Sequence, residues 1–389
     1  MTDLRACSPG ETFSRVSPFV SQFGITRIAR QTGLDKIGIP VWCAFNPNSR
    51  GIVIANGKGL SDDAARTSAV MEAMERSIAS QPFNRVTFAS CTELTADGTR
   101  HDWLPEFLAL NSRIPKRDDL LPWVNGWHLL TGEPVALPVE AVTMDRSRKQ
   151  GLYWQTSDGL ASGNTLEEAL LHALLERVER DAMTLWELMK PERRNATRIN
   201  PEGFRDPTVH SLLAQIEAAE LQIALFDISS DIRVPCILCL LAPRSLSGEI
   251  RYVELTVGAG AAITPRRAAL RAITEAAQSR MTFIAGARDD ISPDIYHQAA
   301  NLIHLEALRL SPGREADQLP VIRASTASEA LDQVLAALST RGLQRLYAVD
   351  LSPSWLPVKV VKVVAPELEN PEGRRRQRFG LRALMRTLL

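Results

Sequence analysis

Residues 165–180 read TLEEALLHALLERVER, and two other stretches share the layout: 61–76, SDDAARTSAVMEAMER, and 264–279, TPRRAALRAITEAAQS. Laid over one another, the three place Ala65, Ala169 and Ala268 together. Ser68, His172 and Arg271 coincide next, followed by Glu72, Glu176 and Glu275, then by Glu75, Glu179 and Gln278. A Gly-bearing loop is expected before each: Gly57-Lys58-Gly59, 159–163 and Gly258-Ala259-Gly260. Repeats at irregular spacing argue for related helix-and-strand units sharing sheets, not a solenoid.

The polar positions of these helices fall on single faces. At about 100° per residue, Glu168, His172, Glu176 and Glu179 occupy one stripe of roughly 80°, and Leu170, Leu174 and Val178 lie mainly elsewhere. Glu72 and Glu75, three apart, also share a face. A glutamate on one helix is ordinarily solvated. The same positions recurring on three helices suggest a common centre, where carboxylates would repel one another unless cations lay between them. Mg²⁺ takes oxygen ligands and keeps water and phosphate oxygens, so this pattern beside Gly-rich segments fits a magnesium–nucleotide site better than zinc. Gly57-Lys58-Gly59 lacks the full P-loop spacing. Arg76 and Arg180 each follow a glutamate, suited to pair with it or with phosphate.

Outward from the helices, residues 1–25 read as an irregular N-terminal segment and 156–165 as a polar loop. Residues 38–56 read as two strands about a turn at Asn46-Pro47-Asn48. The helices are expected at about 62–80 and 165–189, the second stopped by Pro191. A weaker repeat pairs 211–243 with 331–366: helix, strand ending in Asp227 or Asp350, then a second strand. Strands alternating with helices place the chain in an α/β or α+β class. Three parts are expected: 1–25, one domain of intertwined α/β subdomains over 26–370, and a basic C-terminal tail over 371–389.

Composition bounds the partners. The 389 residues are 45% hydrophobic and 23% charged, with 45 Lys+Arg against 45 Asp+Glu. Zero net charge gives no general electrostatic reason for a nucleic-acid partner. No stretch approaches a membrane span and no signal peptide is visible, so a cytoplasmic protein with reduced thiols is expected. Cys236-x-x-Cys239 has metal-like spacing, but three residues apart on a strand point to opposite faces, so both are expected in the core.

These motifs resemble the YcaO family. Ser68-x3-Glu72-x2-Glu75-Arg76 is similar to its first signature. Ser157-x6-Asn164-x3-Glu168-x7-Glu176-x2-Glu179-Arg180 is similar to its second, and Glu275-x2-Gln278-Ser279-Arg280 to its third. The resemblance implies an α+β YcaO-like fold whose repeated helix-and-sheet units surround a glutamate-rich nucleotide site. It implies ATP and Mg²⁺, with Glu72, Glu75, Glu176 and Glu179 as metal ligands and Arg180 beside them as a catalytic residue. Lys58, Ser68, Asn164, Glu168, Gln278 and Arg280 would bind the nucleotide or orient the ligands. It further implies activation of a backbone amide in a precursor peptide or protein: a nucleophile adds to the carbonyl, its oxygen takes the γ-phosphoryl of ATP, and phosphate departs.

Many azoline-forming members end in Pro-x-Pro-x-Pro, whereas this chain ends Arg386-Thr387-Leu388-Leu389 and shows no attached peptide-clamping domain. The opening TGLDKIGIPV, 32–41, resembles members that work with a TfuA-type partner and are linked to thioamides. Thioamide formation, with sulfur from a TfuA-type or other sulfur-donating protein, is therefore the first expectation. A cyclodehydratase forming thiazoline or oxazoline from Cys, Ser or Thr is the alternative, and a non-catalytic ATP- or peptide-binding accessory protein a third reading. The family also implies a homodimer.

Overall fold

The computed structural model describes residues 4–147, 151–245, 249–371 and 373–388. Three sheets organise them. The first orders β1 (Arg27–Arg30), β2 (Val41–Phe45) and β3 (Ile54–Lys58). The second runs β4 (Val86–Ala89), β5 (Leu121–His128), β12 (Tyr347–Asp350), β13 (Lys359–Val364), β7 (Leu160–Gly163), with β6 (Pro134–Pro138) also on β5. In the third, β8 (Arg198–Ile199), β9 (Leu221–Asp227), β10 (Cys236–Pro243) and β11 (Thr256–Ala261) lie side by side. Every named strand pairing among the described residues is antiparallel, which makes the fold α+β.

The helices are α1 (Pro9–Val16), α2 (Asp62–Ser80), α3 (Cys91–Ala96), α4 (Val139–Val142), α5 (Leu166–Glu187), α6 (Pro191–Asn195), α7 (Pro207–Ala218), α8 (Pro265–Ala285), α9 (Leu302–Leu308), α10 (Ala327–Thr340) and α11 (Leu381–Leu388). The three expected from the aligned stretches are α2, α5 and α8. Ser61, Thr165 and Thr264 cap them, accepting from the backbone N–H of Ala64, Glu168 and Arg267 at 3.2, 3.3 and 3.4 Å.

Each of these helices lies on its own sheet: α2 on β2 and β3, α5 on β7 and β13, α8 on β10 and β11. The glycines explain how closely. A Cβ on Gly57 would sit 2.1 Å from the Ala65 carbonyl oxygen and the Ala69 nitrogen, and one on Gly258 would sit 2.2 Å from the Ala276 nitrogen. The segments expected as loops are therefore strands. Gly57 and Lys58 close β3, residues 160–163 of the expected polar loop are β7, and Gly258 and Gly260 lie within β11. Glycine appears there because strand backbone presses on alanine-lined helix, not because a turn needs it.

Two further expectations are corrected. Of the expected irregular segment 1–25, residues 1–3 lie outside the described residues, and the rest carries α1, held by a capping box between Ser8 and Glu11, and a 3₁₀ helix over Ser17–Phe23. So short a helix carries too little periodicity to declare itself. Residues 371–389, apart from 372 and 389, which lie outside the described residues, do not form a free tail. Arg376 donates its backbone N–H to Leu108, Leu110 donates to Arg374, and Arg382 reaches the buried Asp181. Pro191 does not merely stop α5; it opens α6 two residues after Met189.

The core explains the apolar runs. Alternate residues of β10 face two clusters, Cys236, Leu238 and Leu240 beside α5, and Ile237, Cys239 and Leu241 beside α7 and α8. A strand buried on both faces reads as a continuous hydrophobic run. Cys236 and Cys239 sit on opposite sides of it, each fully buried.

Candidate functional site

The three helices close a ring. Besides its own sheet, α2 touches β7, α5 touches β11 and α8 touches β3. The aligned fourth polar position makes each of these crossings. Glu75 of α2 accepts from the Ser162 hydroxyl of β7. Glu179 of α5 accepts from the Ala261 N–H of β11 at 2.8 Å. Gln278 of α8 donates to the Asn56 carbonyl of β3 at 2.6 Å. The third position lies beside them: Glu72 pairs with Arg76, Glu176 accepts from the Gly159 N–H at 3.1 Å, and Glu275 pairs with Lys58.

The residues beside these crossings stay partly open to solvent. Glu176, Arg180, Glu275 and Lys58 each keep about a quarter of their side-chain surface open (23–24%) while standing deep among protein atoms. Burial pushes the Glu75 carboxyl up to about 8; the Ser162 hydrogen bond opposes this and the charges of Glu72 and Glu176 add to it. Burial likewise raises Glu176 to about 7, against the pull of Arg180 and helped by Asp158 and Glu179. Glu179 is raised by burial and by Glu275. At Glu275 the sign reverses. Burial works against ionised Glu275, yet Lys58 and Arg180 hold its carboxyl below the ordinary value. Burial disfavours the Arg180 charge too, but Asp158, Glu179, Glu176 and Glu275 together raise it above normal. His172 is pushed well below its usual range by burial and by the charges of Arg271, Arg5 and Lys58, so it stands neutral.

The structure gathers Glu72, Glu75, Glu176, Glu179, Arg180 and Lys58 into this network, and Gln278 onto its edge. Other residues from the sequence reading stand apart. Glu168 accepts from both nitrogens of Asn164 (2.9 and 3.2 Å) and from the Ala6 N–H; Asn164 in turn accepts from Thr12 and Arg15 at 3.0 and 3.1 Å. Both therefore hold the N-terminal arm and α1 over the rim. Arg280 is engaged by Asp35 at 2.9 Å. Ser68 is half-buried on α2.

Sequence reasoning missed four supports. Asp158 pairs with the buried Arg177 at 3.2 Å and is felt by Arg180. Lys362, only 1% exposed, donates to the carbonyls of Thr156 and Asp158 at 2.6 and 2.7 Å and fixes the chain that leads into β7. Ser162 and Ala261 meet the glutamates from neighbouring strands. The one available signal was Lys362, a charged residue inside the otherwise aliphatic run VVKVV, 360–364.

The donor set suits hard cations. Carboxylates crowded enough to raise one another's pKa are relieved by a divalent cation, and all are oxygen donors. Among the described residues no three carboxylate, imidazole or thiolate groups converge as a ready cage. Mg²⁺, which retains water and phosphate ligands, does not need one.

Comparison with known proteins agrees. A match to the family described as YcaO cyclodehydratase, ATP- and Mg²⁺-binding, spans residues 56–369. The chain is 37% identical to an uncharacterised protein in the tfuA 3′ region of Rhizobium leguminosarum bv. trifolii, over 98% of this chain and 92% of that one. The fold is similar to that of YcaO from Methanopyrus kandleri bound with AMPPCP and Mg²⁺ (TM-score 0.72, 24% identity, 94% of this chain and 92% of that one). It is also similar to a heterocyclase in complex with substrate and cofactor (TM-score 0.78, 19% identity), where 95% of this chain covers 54% of the other. The protein belongs to the YcaO family of ATP- and Mg²⁺-dependent peptide-modifying enzymes.

Proposed function

We propose that the ring is a threefold internal repeat and that it binds ATP with Mg²⁺ to activate a backbone amide of a ribosomally made peptide. The observation that carries this reading is the ring itself: Glu75, Glu179 and Gln278 each cross from their helix to the neighbouring strand, with Glu176, Arg180, Glu275 and Lys58 beside them. Glu72, Glu75, Glu176 and Glu179 would hold magnesium. Bound there, magnesium neutralises phosphate charge and orients the transferred phosphoryl group.

The chain's own residues do the rest. Arg180, kept charged by its acidic neighbours, and Lys58 face the negative charge that grows on phosphoryl oxygens. Gly159 fixes Glu176, and Ser162 and Ala261 fix Glu75 and Glu179, so the carboxylates are oriented before ligand arrives. Asn164 and Glu168 act by anchoring the N-terminal arm, and Arg280, Ser68 and Gln278 by orienting the nucleotide or its neighbours. The amide oxygen leaves as phosphate, ATP becomes ADP, and the nucleophile stays on carbon.

Cyclodehydration is the product reading with the stronger support, because the matched family is described by that activity. There the nucleophile is a Cys, Ser or Thr side chain of the peptide. Thioamide formation, placed first on the sequence alone, is the second reading, favoured by the 37% identical relative named for its position beside tfuA; it needs a sulfur-donating or TfuA-type partner. A homodimer, the commonest soluble assembly, is the proposed state, and sedimentation at the monomer mass refutes it. Co-expression with neighbouring genes and a candidate precursor, followed by high-resolution mass spectrometry, decides the product. Loss of one water, localised to Cys, Ser or Thr, is expected. Exchange of one oxygen for sulfur selects the thioamide instead, and an unmodified peptide with no Mg²⁺-dependent ATP binding rejects both.

A further inference from the structure

Beyond the end of α5 the chain turns through α6 and borders a concavity of about 360 Å³. From Glu179 to Glu187 α5 rises about 12 Å, which sets this concavity apart from the glutamate ring. Four arginines line it: Arg193 of α6, Arg233 from the β9–β10 connection, Arg314, and Arg386 of α11. Asp227 is the one carboxylate among its lining residues, and it is already engaged. Arg314 pairs with it at 2.9 Å, and the Ser229 N–H donates to it at 2.9 Å. Arg193, Arg233 and Arg386 form no ion pair with a carboxylate among the described residues.

The donors of this concavity outnumber its acceptors. The Nε of Arg386 is buried without a hydrogen-bond partner. Burial and the charge of Arg193 push the Arg386 guanidinium below its ordinary value, against the pull of Asp231. Asp231 is itself taken by Arg382 at 2.7 Å. Arg382, one turn before Arg386, also grips Asp181 through two bonds of 2.9 Å and so anchors α11 beside the concavity. Two serines add to the lining. The Ser229 hydroxyl oxygen accepts from the Cys236 N–H at 3.0 Å, and that of Ser230 accepts from the Ile232 N–H at 3.4 Å. Each hydroxyl therefore keeps its own proton to donate. The Arg233 N–H closes this turn on the Ser230 carbonyl at 3.1 Å, with Arg233 at φ 62°, a left-handed conformation that costs a residue with a Cβ.

We propose that this concavity is a binding site for a phosphoryl oxyanion, free or at the end of a diphosphate, held by Arg193, Arg233 and Arg386 with the hydroxyls of Ser229 and Ser230. Unpaired guanidinium groups gathered on one concavity repel one another, and an anion between them turns that repulsion into attraction. The planar fork of each guanidinium matches two oxygens of a phosphoryl group. A phosphoryl group carries a charge of about −1.5 to −2 at neutral pH, nearer to balancing three arginines than the single charge of a carboxylate. Its several acceptor oxygens also meet the surplus of N–H and O–H donors. The site stands apart from the ring and does not rest on the nucleotide reading of it.

The test is calorimetry on the full chain in EDTA, where no divalent cation brings anions to the ring carboxylates. The probes are pyrophosphate, inorganic phosphate and ADP, with acetate as the singly charged control. Wild-type protein should bind pyrophosphate, more weakly as salt rises, and should not bind acetate. The triple variant Arg193→Gln/Arg233→Gln/Arg386→Gln should bind at least about tenfold more weakly, and Ser229→Ala/Ser230→Ala several-fold more weakly. Without ligand the triple variant should melt no lower than wild type, because it removes unpaired like charges; if it melts lower, the single variant Arg193→Gln, at an exposed position, decides in its place by weakening binding several-fold. Tighter binding of ADP than of pyrophosphate, lost in the triple variant, identifies a nucleotide as the source of the phosphoryl group, and the reverse order identifies the free anion. No binding of pyrophosphate by wild type at millimolar concentration, equal binding by the arginine variants, or acetate bound as tightly as phosphate overturns the proposal. Loss of pyrophosphate binding in Lys58→Met but not in the arginine variants overturns it too, by placing the anion in the ring.

Discussion

The α2 and α5 arms of the ring and the α8 arm share a frame and differ in charge. All three have a Ser or Thr cap, a glycine-bearing strand against alanines, and a polar residue crossing to the next strand. On α2 and α5 the crossing residue is glutamate; on α8 it is Gln278, and the glutamate one turn earlier is paired to Lys58. The difference teaches that one backbone solution was charged in two ways. On α2 and α5 burial and neighbouring carboxylates raise Glu75 and Glu176 despite Arg76 and Arg180, whereas on α8 Glu275 is paired to Lys58 and lowered.

The strongest way to break that contrast is to neutralise the acidic arms. Glu75→Gln and Glu179→Gln each keep side-chain volume and remove an oxygen charge. Each should lower peptide modification by at least about 100-fold and leave the fold intact, since removing one charge from a crowd of like charges relieves repulsion. Mass spectrometry of the co-expressed peptide and a thermal melt measure the two. Wild-type rates in both variants would show that the acidic arms do not serve the reaction.

Next in size is the α8 arm. Lys58→Met strands Glu275 without its partner and should lower stability by about 1–3 kcal/mol and activity by about tenfold. Lys58→Met/Glu275→Gln should recover most of the stability but not the activity. Urea unfolding of wild type, these two variants and Glu275→Gln gives the coupling. Zero coupling would mean that Lys58 does not hold this arm.

Much of this ring was legible in the sequence, and the reason is periodicity. Glu176 and Glu179 share a helical face by spacing alone, and the three aligned stretches fall on α2, α5 and α8. What stayed hidden depended on tertiary neighbours. Gly57 and Gly258 looked like loop residues because a glycine demanded by helix contact and one demanded by a turn are the same letter. Glu168 shares the stripe of Glu176, yet the N-terminal arm claims it through Ala6 and Asn164, a contact made across more than 150 residues of chain. Arg193, Arg233 and Arg386 are scattered in sequence and meet only in the fold.

A smaller effect follows from proton linkage. Glu75 and Glu176 have folded pKa values of about 8 and about 7, above their ordinary 4.5, so the folded chain holds protons that the unfolded chain releases. Their contribution to stability is therefore lost as pH rises through those values. His172 is depressed and works in the opposite direction, but only below its ordinary 6.5. Lys362, pushed down to about 8 by burial, acts only above that. Between pH 6.5 and 8 the glutamates dominate, and without Mg²⁺ the melting temperature should fall by on the order of 2 °C. Added Mg²⁺ should flatten the slope, and its own binding should tighten several-fold over the same range as protons leave. A melting temperature that rises across this window without Mg²⁺ would contradict the raised carboxyls of the acidic arms.

The smallest effect on activity should come from the cysteine nearest the ring. Cys236 lies opposite Ala261 in the β10–β11 ladder, and the Ala261 N–H bonds to Glu179, so the thiol stands one strand from that crossing. Proximity alone suggests a part in sulfur handling, but its environment opposes one. Cys236 is 0% exposed, and burial with the charge of Glu179 pushes its thiol well above the ordinary value. It remains a protonated thiol, a poor nucleophile with no route to substrate. Cys239, on the other face of β10, is buried just as fully among the residues packed on α8. Cys236→Ala and Cys239→Ala should each cost about 0.5–1.5 kcal/mol from the small cavity left behind, and neither should change the modification rate. Denaturant midpoints and a mass-spectrometric time course separate the two quantities. A Cys236→Ala protein as stable as wild type but inactive would move sulfur chemistry into the ring and make the α5–β11 crossing more than a scaffold.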